Sequence, residues 1–444
     1  MHVYVDESIN REWNIHPFSF RLKTLKEGGR GEEGIELNRE HNWWEWYDPK
    51  TVRDDEDFRG VPRLAESLHR VWFEAVMNEE ASTALQSGLE QLRTDHTSGS
   101  HELTSIALMK FRDVLASLQG DENWWFLAKM AAWHLWQNGR PSMGAATLST
   151  LLDVLVGLEG LNLQKLDSKS KLDQVFGIVD HHYQERLTMP ARIKTSFAEY
   201  LKSKFIVPSG GASEQGLKIL TLSASSTIRD SIIDAFISLP FTSLDLRVLE
   251  SRPLFEGASM ASSILSDFQT RCSSSPNKTL NLTLYTDASA VLASSWVDLV
   301  LLGADAISSD GHVINKIGSL PAVLGVKYHC FWAKVLVLSE LEKVEEPAAE
   351  GHFEPEQNDP AEVIGCWLDA GIKGATALEE GVKSTQRETT NCNVRVMNVY
   401  FERVPADLID GYICEEGFLD VRRIQDKSAQ VEQKRDRYFG YYEC

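Results

Sequence analysis

The chain has 444 residues, of which 43% are hydrophobic and 25% charged, and these proportions exclude a disordered or low-complexity protein. At about 100–200 residues per domain, this length predicts two or three domains. Its 45 Lys and Arg face 65 Asp and Glu, and the formal net charge of −20 argues against nucleic acid or an anionic membrane surface as the main partner.

The chain shows no run of about 18 uninterrupted apolar residues, so no transmembrane helix is expected. Its first residues lack a basic region followed by an apolar core, so no secretory signal is expected. The six cysteines are widely spaced and form no C-x-x-C pair, which argues against a zinc site and against a disulfide framework. We therefore expect a cytoplasmic protein with no metal and no cofactor.

Residues 1–60 alternate apolar and polar side chains around Gly and Pro. Residues 15–22 and 35–46 are typical of two strands joined by a glycine-rich turn. This element is too short to bury a core of its own. Its tryptophans, Trp43, Trp44 and Trp46, either pack against a neighbouring domain or form a ligand-stacking surface.

Residues 62–206 show the 3.6-residue apolar period of helices. The predicted helices are 62–76, 102–118, 124–136, 141–158 and 191–205. The fourth opens with Pro141, which is favoured in the first turn of a helix.

From residue 217 onward, short apolar runs alternate with helix-length segments. The predicted strands are 217–222, 244–249, 280–285, 297–302 and 335–338, and the predicted helices between them are 226–237, 259–268 and 320–329. Such alternation predicts an α/β fold whose parallel sheet is covered on both faces. Further along, 342–359 is predicted to be a solvated acidic loop, 394–401 a strand, and the tail a charged helix.

Candidate site residues follow the predicted strands, because ligands of parallel sheets bind beyond the carboxyl ends of the strands. The segment 223–228 is either an anion-binding turn or a set of helix N-caps. Arg252 offers a fork of donors for phosphate or carboxylate, or else a surface ion pair. Asp287 and Asp305 follow later strands, and Asn315 and Lys316 add an amide and an ammonium beside Asp305.

These strand ends resemble the initiation factor 2B α/β/δ subunit family, which includes methylthioribose-1-phosphate isomerase and ribose-1,5-bisphosphate isomerase. The resemblance spans about 88–424 and rests on five motifs: Ile219-Leu-Thr-Leu-Ser-Ala-Ser-Ser-Thr227, Val248-Leu-Glu-Ser-Arg-Pro-Leu-Phe-Glu-Gly257, Tyr285-Thr-Asp287, Asp298-Leu-Val-Leu-Leu-Gly-Ala-Asp305 and Ile314-Asn-Lys-Ile-Gly318. Weaker matches are Gly139-Arg-Pro-Ser-Met-Gly144, Val404-Pro-Ala-Asp-Leu-Ile409 and Glu415-Glu-Gly417.

The resemblance implies a helical N-terminal region followed by a Rossmann-like parallel-sheet domain that dimerises. In the family's isomerases a cysteine and an aspartate transfer the protons that move a carbonyl along a phosphorylated sugar. The aspartate matches Asp305, the Asn-Lys pair that contacts the sugar matches Asn315 and Lys316, and the Arg of an Arg-Pro motif matches Arg140.

Three departures from the isomerase pattern argue against turnover. The catalytic cysteine is matched by Ser223, whose hydroxyl is far less acidic than a thiol. The isomerases' Arg-Gly-Ala phosphate-binding turn is matched by Ser98-Gly-Ser100. Their sugar-contacting Gln is matched by Glu256, whose charge would repel a phosphorylated ligand at close range.

Residues 1–60 resemble the final strands of a Nudix hydrolase domain, through 16–22 and 37–49. The Nudix box, which binds magnesium, would lie upstream of residue 10, so Nudix hydrolysis is not expected. The predicted organisation is therefore a Nudix-like C-terminal remnant at 1–60, a helical domain at 62–206, and a Rossmann-like domain at 207–444 with an acidic insertion at 342–390.

The leading functional hypothesis is a non-catalytic, initiation-factor-2B-like protein related to translation or metabolite sensing. It would self-associate, or pair with related subunits, and bind a phosphorylated sugar or nucleotide at the strand ends. Two alternatives stay open: a divergent sugar-phosphate isomerase that kept Asp305, and a structural subunit with a vestigial pocket.

Overall fold

The computed structural model describes most of the chain after residue 75. The described residues are 2–6, 11–15, 73, 76–95, 98–140, 143–161, 168–206, 216–272, 277–347, 355–386 and 392–443. They form two compact units, Met1–Tyr183 with Gln433–Cys444, and Gln184–Glu432. Of the helices in these ranges, none is long and apolar enough to cross a membrane.

The first unit is mainly helical. Its backbone begins with an antiparallel pair, β1 (His2–Asp6) and β2 (Arg11–Ile15). Its helices are α1 (Glu79–Thr94), α2 (Ser100–Ser117), α3 (Trp124–Gln137) and α4 (Gly144–Glu159), followed by the start of α5 (Ser168–Phe205). Helix α1 begins where the Asn78 side chain accepts from the Ala81 amide, and it buries Leu85, Leu89 and Leu92 at helical spacing.

The end of α12 (Val421–Glu443) completes this unit. The Tyr438 hydroxyl donates to Glu159 at 2.7 Å, and the Phe439 ring stacks on Trp136 at 5.7 Å between centroids. Burial raises the pKa of Tyr438 to about 12, so this hydroxyl stays a donor at neutral pH. The tail is therefore the charged helix that was predicted, and its last turns pack within the first unit through Tyr438 and Phe439.

The second unit contains a seven-stranded sheet in the order β12-β11-β9-β6-β3-β4-β5. Its strands are β3 (Gly216–Leu222), β4 (Ser243–Leu249), β5 (Thr279–Tyr285), β6 (Leu299–Leu302), β9 (Lys334–Leu338), β11 (Gly411–Cys414) and β12 (Gly417–Leu419). All pairings except β11–β12 are parallel. This confirms the predicted α/β fold with a mostly parallel sheet.

Helices cover both faces of the sheet because its central strands are apolar on both sides. These helices are α6 (Ser226–Ser238), α7 (Glu256–Cys272), α8 (Ala290–Ala293) and α9 (Ser319–His329). One buried cluster joins α8 and α9 to Leu220, Leu222 and Val300, and the other joins α5, α6 and α7 to Ile219 and Leu246.

The strand order places the ligand crevice. The chain runs from β3 to β4 and β5 on one side, and to β6, β9 and β11 on the other, so the order reverses between β3 and β6. Leu222, Leu249 and Tyr285 stand side by side in register, so the residues after these three strands start at one level. Ligands of such sheets bind at this reversal, beyond the carboxyl ends of the strands.

A smaller antiparallel sheet lies beside this edge. It consists of β7 (Ala306–Ile307), β8 (Val313–Lys316) and β10 (Phe401–Val404) in the order β10-β8-β7. The helices α10 (Pro360–Asp369) and α11 (Ala375–Gln386) precede β10. Register pairs Asn315 with Glu402 and Lys316 with Phe401, which fixes the two candidate site residues at the end of β8.

Two predicted elements differ from the structure. The predicted strand 394–401 is wrong, because the strand is Phe401–Val404 and only Val399 forms an isolated bridge before it. The predicted solvated loop 342–359 is wrong at its start, where Leu341–Lys343 form a 3-10 turn and Glu342 and Val344 are buried. Helix α1 is present in the structure but was not predicted from the sequence. The predicted strand 35–46, all but the first residue of the predicted strand 15–22, and most of helix 62–76 lie outside the described residues.

Candidate ligand-binding crevice

The turns that follow β3, β4 and β5 are tied together by hydrogen bonds. The Asp287 carboxylate accepts from the amides of Ser251 and Arg252 at 2.9 and 2.8 Å, and the Ser223 amide donates to the Ser251 hydroxyl at 2.8 Å. Ser223 and Ser251 both have positive φ, 65° and 59°, a region that non-glycine residues rarely adopt. Asp287 therefore holds in place the loop between β4 and α7, residues 250–255, which we call the crevice loop. Ser223 lies at the turn next to this loop.

Helix α7 begins directly beneath the end of β4. A Cβ atom on Gly257 would lie 1.8 Å from the Leu249 carbonyl oxygen, so only glycine fits there. The preceding residue, Glu256, lines the crevice through its side chain. The glycine of the Arg-Pro-Leu-Phe-Glu-Gly motif thus allows the loop that carries Arg252 and Glu256 to fold tightly against the strand.

Lys316 is the best-enclosed cation of the crevice. Its ammonium lies 3.2 Å from Glu256 Oε1, and 4.9 and 4.8 Å from the ring centroids of Tyr400 and Phe401. The two rings hold the ammonium by cation–π attraction, and only 16% of its side chain is exposed. Glu256, predicted to repel an anion, instead neutralises Lys316 in this state.

Arg252 lies at the mouth of the crevice, with 56% of its side chain exposed. Its Nε donates to Glu250 Oε1 at 3.1 Å, and its guanidinium lies 5.2 Å from the Phe255 ring. The surface ion pair that the sequence left open is therefore present. The exposed guanidinium keeps donors that can turn towards a ligand.

The crevice itself is almost filled. It is lined by Ser251, Arg252, Pro253, Leu254, Glu256, Lys316, Ile317 and Tyr400, and its volume is about 10 Å³. A volume of that size holds about one water molecule. A sugar phosphate is far larger than this volume.

Asn315 and Asp305 follow the strands on the other side of the reversal. Asn315 is buried, its amide donates to the Ser319 hydroxyl at 2.9 Å, and a Cβ on Gly303 would lie 3.4 Å from its Oδ1. The Asp305 amide donates to the Ile314 carbonyl at 2.9 Å, which joins the end of β6 to β8. Asp305 and Ser223 therefore follow adjacent parallel strands at the same edge.

A cluster of charged side chains that the sequence analysis missed continues along this edge. Glu340 follows β9 and Glu415 follows β11, while Lys343 lies 3.0 Å from Glu340 and donates to the Ala304 carbonyl at 2.8 Å. Burial alone would lower the pKa of Lys343, but the carboxylates of Glu340 and Asp305 raise it. The signal was available in the sequence, because Glu415 directly follows an apolar strand and Glu340 comes two residues after one.

The N-termini of two helices near the crevice are already capped by side chains. The Glu402 carboxylate accepts from the Gly318 amide at 2.6 Å and the Leu320 amide at 3.0 Å, at the start of α9. Burial nonetheless raises the pKa of Glu402. Ser225 caps α6 by accepting from the Ile228 amide, so the N-cap interpretation of that segment applies to Ser225. A ligand phosphate would have to rely on Lys316 and Arg252 rather than on the α9 amides.

Arg140 belongs to the first unit, and we describe it there alone. Its guanidinium donates to the Asp95 carbonyl at 2.7 Å, and the Asp95 carboxylate accepts from the Ser98 amide at 2.9 Å. Arg140 thereby positions the Ser98-Gly99-Ser100 turn, so two motifs singled out in the sequence lie together. In the described parts of both units, no group of three or more His, Cys, Asp or Glu side chains could hold a metal ion.

Comparison with known proteins agrees with these motifs. Residues 137–421, well over half of the chain, match the model of the initiation factor 2 subunit family. The chain belongs to this family. The family resemblance predicted from the strand ends is confirmed, whereas the Nudix resemblance concerns residues outside this match.

The curated relatives are isomerases that match in part. Methylthioribose-1-phosphate isomerase of Xanthomonas euvesicatoria pv. vesicatoria is 28% identical over 152 residues, covering 33% of this chain and 37% of that protein. The enzyme of that name from Leptospira interrogans is 27% identical over 173 residues, covering 38% and 43%. The chain thus spans less than half the length of these relatives.

Solved structures show the same fold over more of the chain. Pyrococcus horikoshii OT3 translation initiation factor eIF-2B has a TM-score of 0.53 at 18% identity, covering 79% of this chain and 100% of that one. A chain of the tetrameric eIF2B-beta2-delta2 complex from C. thermophilum has a TM-score of 0.53 at 13% identity, covering 81% and 98%.

Proposed function

We propose that this protein is a non-catalytic, initiation-factor-2B-like subunit that binds a phosphorylated sugar or nucleotide at the carboxyl-end crevice. The observation that carries the proposal is Ser223, which the motif resemblance matches to the isomerases' catalytic cysteine. A serine hydroxyl is a poor proton donor at neutral pH, and its amide is engaged with Ser251. Asp305 alone then lacks the partner that completes a two-residue proton transfer.

Binding of a phosphate, unlike turnover, needs only cations whose ion pairs within the protein can be broken. The Glu256 carboxylate holds Lys316 in the unliganded crevice, and a ligand phosphate would compete for the same ammonium. Displacing Glu256 from Lys316 enlarges a cavity that is about 10 Å³ when closed. Ligand binding and crevice opening would therefore be one event, with Arg252 closing on the anion from the mouth.

The alternative is a divergent sugar-phosphate isomerase, favoured by the retained Asp305 and by the isomerase relatives. The experiment assays the unmodified protein and the Ser223→Cys variant for isomerisation of methylthioribose 1-phosphate and ribose 1,5-bisphosphate. We expect no turnover by the unmodified protein and a gain of activity in Ser223→Cys, because the thiol is restored. Robust turnover by the unmodified protein would overturn the proposal.

Binding is measured in parallel by thermal shift and calorimetry, since a ligand of the folded state raises stability. Lys316→Met should abolish the shift, whereas Glu256→Gln should increase it. Lys373→Met, at an exposed lysine on the segment between α10 and α11, is the matched control and should leave binding unchanged. A shift that survives Lys316→Met would exclude this crevice as the binding site.

We also propose that the chain self-associates through an exposed aromatic surface formed by α8, α9 and the residues that directly follow them. Tyr328 and Phe331 are 83% and 89% exposed, and Trp296 and Trp332 lie 5.7 Å apart between ring centroids. Helix α8 packs closely on α9, since a Cβ on Gly325 would lie 2.9 Å from the Val291 Cα, so the surface is continuous. The aromatic surface is Val291, Leu292, Trp296, Leu324, Tyr328, Phe331 and Trp332.

A second copy of the chain is the occupant that fits this surface. Large aromatic side chains are enriched in the cores of protein interfaces, and contiguous exposed apolar patches mark such sites. The similar C. thermophilum structure is a tetrameric eIF2B-beta2-delta2 complex. Related subunits are the other candidate partners, and the oligomeric state in isolation distinguishes them from a homodimer.

A further inference from the structure

A second, larger cleft lies at the opposite edge of the same sheet. It has a volume of about 540 Å³, within the range of small-molecule sites. It is lined by Ser196, Glu199, Tyr200, Ser203, Lys204, Lys334, Asp410, Gly417 and Phe418. Lys334 begins β9 and Asp410 directly precedes β11, so the cleft lies at the amino ends of strands, whereas the crevice lies at their carboxyl ends.

One side of this cleft is formed by two stacked aromatic rings. The Phe418 ring stacks on Tyr200 at 5.3 Å between centroids with an interplanar angle of 20°. Tyr200 is 8% exposed, but Phe418 remains 49% exposed. A Cβ on Gly411 would lie 2.2 Å from the Phe418 ring, so the ring occupies a place that only glycine leaves open. A planar ligand could extend this stack.

The opposite lining is charged. Asp410 lies 2.8 Å from Lys327 and 3.3 Å from Lys334 and accepts from the Val335 amide, and these donors outweigh its burial and lower its pKa. With Lys204 and Glu199 of the lining counted as well, three ammonium groups face two carboxylates, so one positive charge is in excess. Lys204, in the last turn of α5, is exposed and makes no ion pair with any described residue. Glu199, one turn earlier, provides a hydrogen-bond acceptor.

We propose that this cleft binds a nucleoside 5′-monophosphate. The base stacks on Phe418, the phosphate pairs with Lys204 and Lys334, and Glu199 accepts from a hydroxyl or amino group of the ligand. Stacking on an aromatic side chain tolerates any base, whereas the two lysines require an anion. The cleft and the crevice lie at opposite ends of the strands and share no lining residue, so they are distinct sites.

The test is calorimetry on the full chain with adenosine 5′-monophosphate. Ribose 5-phosphate, which lacks the base, and adenosine, which lacks the phosphate, are the matched ligand controls and should bind far more weakly. Phe418→Leu and Lys204→Glu should each weaken binding of the monophosphate by roughly tenfold, the effect of removing one stack or one charge contact. Lys202→Glu, exposed in the same last turn but outside the cleft, should leave binding unchanged. Lys316→Met is measured alongside it to detect any monophosphate bound in the crevice.

Three outcomes would overturn the proposal. They are the absence of monophosphate binding up to about 1 mM, binding that Phe418→Leu and Lys204→Glu leave unchanged, and binding that only Lys316→Met abolishes. The last would place the nucleotide in the carboxyl-end crevice. If Phe418→Leu does not fold, Lys204→Glu carries the test, because Lys204 is exposed and its replacement breaks no ion pair between described residues.

Discussion

Glycine 257 is the residue on which the shape of the crevice loop depends most directly. A methyl group there would overlap the Leu249 carbonyl at the end of β4, and backbone on both sides prevents relief by a side-chain movement. We expect Gly257→Ala to destabilise the protein by roughly 4 kcal/mol or more, measured as a shift of the urea midpoint. Gly365→Ala, in the open middle of α10, is the control and should be neutral or stabilising by about 1 kcal/mol.

A second residue-scale effect concerns Glu415, whose carboxyl pKa is raised to about 7 by burial, with the charges of Glu342 and Glu340 adding to it. The folded state therefore keeps a proton that the unfolded chain releases near its ordinary pKa of 4.5. As pH rises from about 4.5 to 7, the free energy of unfolding falls by up to about 3 kcal/mol, and this contribution is constant above pH 7.

Replacing Glu415 by Gln should remove this dependence, because Gln resembles the protonated carboxyl and still accepts from the Leu341 amide. We expect Glu415→Gln to match the parent at pH 5 and to exceed it at pH 8, measured by urea unfolding. Glu416→Gln, at the exposed neighbour, is the control and should change little at either pH. A parent-like slope in Glu415→Gln would assign the titration to another group.

At the scale of elements, the apolar pattern predicted the sheet well because buried parallel strands are continuous apolar runs. The five strands predicted between 217 and 338 all occur, and their ends predicted where Ser223, Arg252 and Asp305 follow them. Periodicity could not predict that charged residues are buried, since a glutamate-rich segment is typical of a solvated loop. Glu342 is buried because Arg186, 156 residues earlier in the chain, pairs with it, and that contact exists only in the folded tertiary structure.

This ion pair joins helix α5 to the turn after β9, and both side chains are almost completely buried. Burial raises the pKa of Glu342 although Arg186 opposes the shift, so loss of Arg186 leaves a carboxyl without its main stabilising charge. We expect Arg186→Met to lower the free energy of unfolding by roughly 3–5 kcal/mol. The double variant Arg186→Met with Glu342→Leu should recover most of the loss in chemical denaturation. Equal losses in the single and double variants would show that the cost is one of packing rather than charge.

At the scale of the whole molecule, we expect the aromatic surface to determine the oligomeric state of the chain. Helix α9 packs against the sheet and α8, but its Leu324 and Tyr328 stay exposed, and such an apolar face needs further cover. We expect light scattering at micromolar concentration to give about 100 kDa, twice the chain mass of 49.9 kDa. A charge placed in a desolvated interface is costly, so Phe331→Asp should give a monomer.

The control is Leu378→Asp on α11, a leucine that is 45% exposed and lies outside the aromatic surface. It should remain dimeric, and circular dichroism should show both variants folded, because both side chains point to solvent in the single chain. A parent protein of about 50 kDa would remove the homodimer and leave a related subunit as the occupant. A dimer that Phe331→Asp leaves intact would place the interface on another face of the molecule.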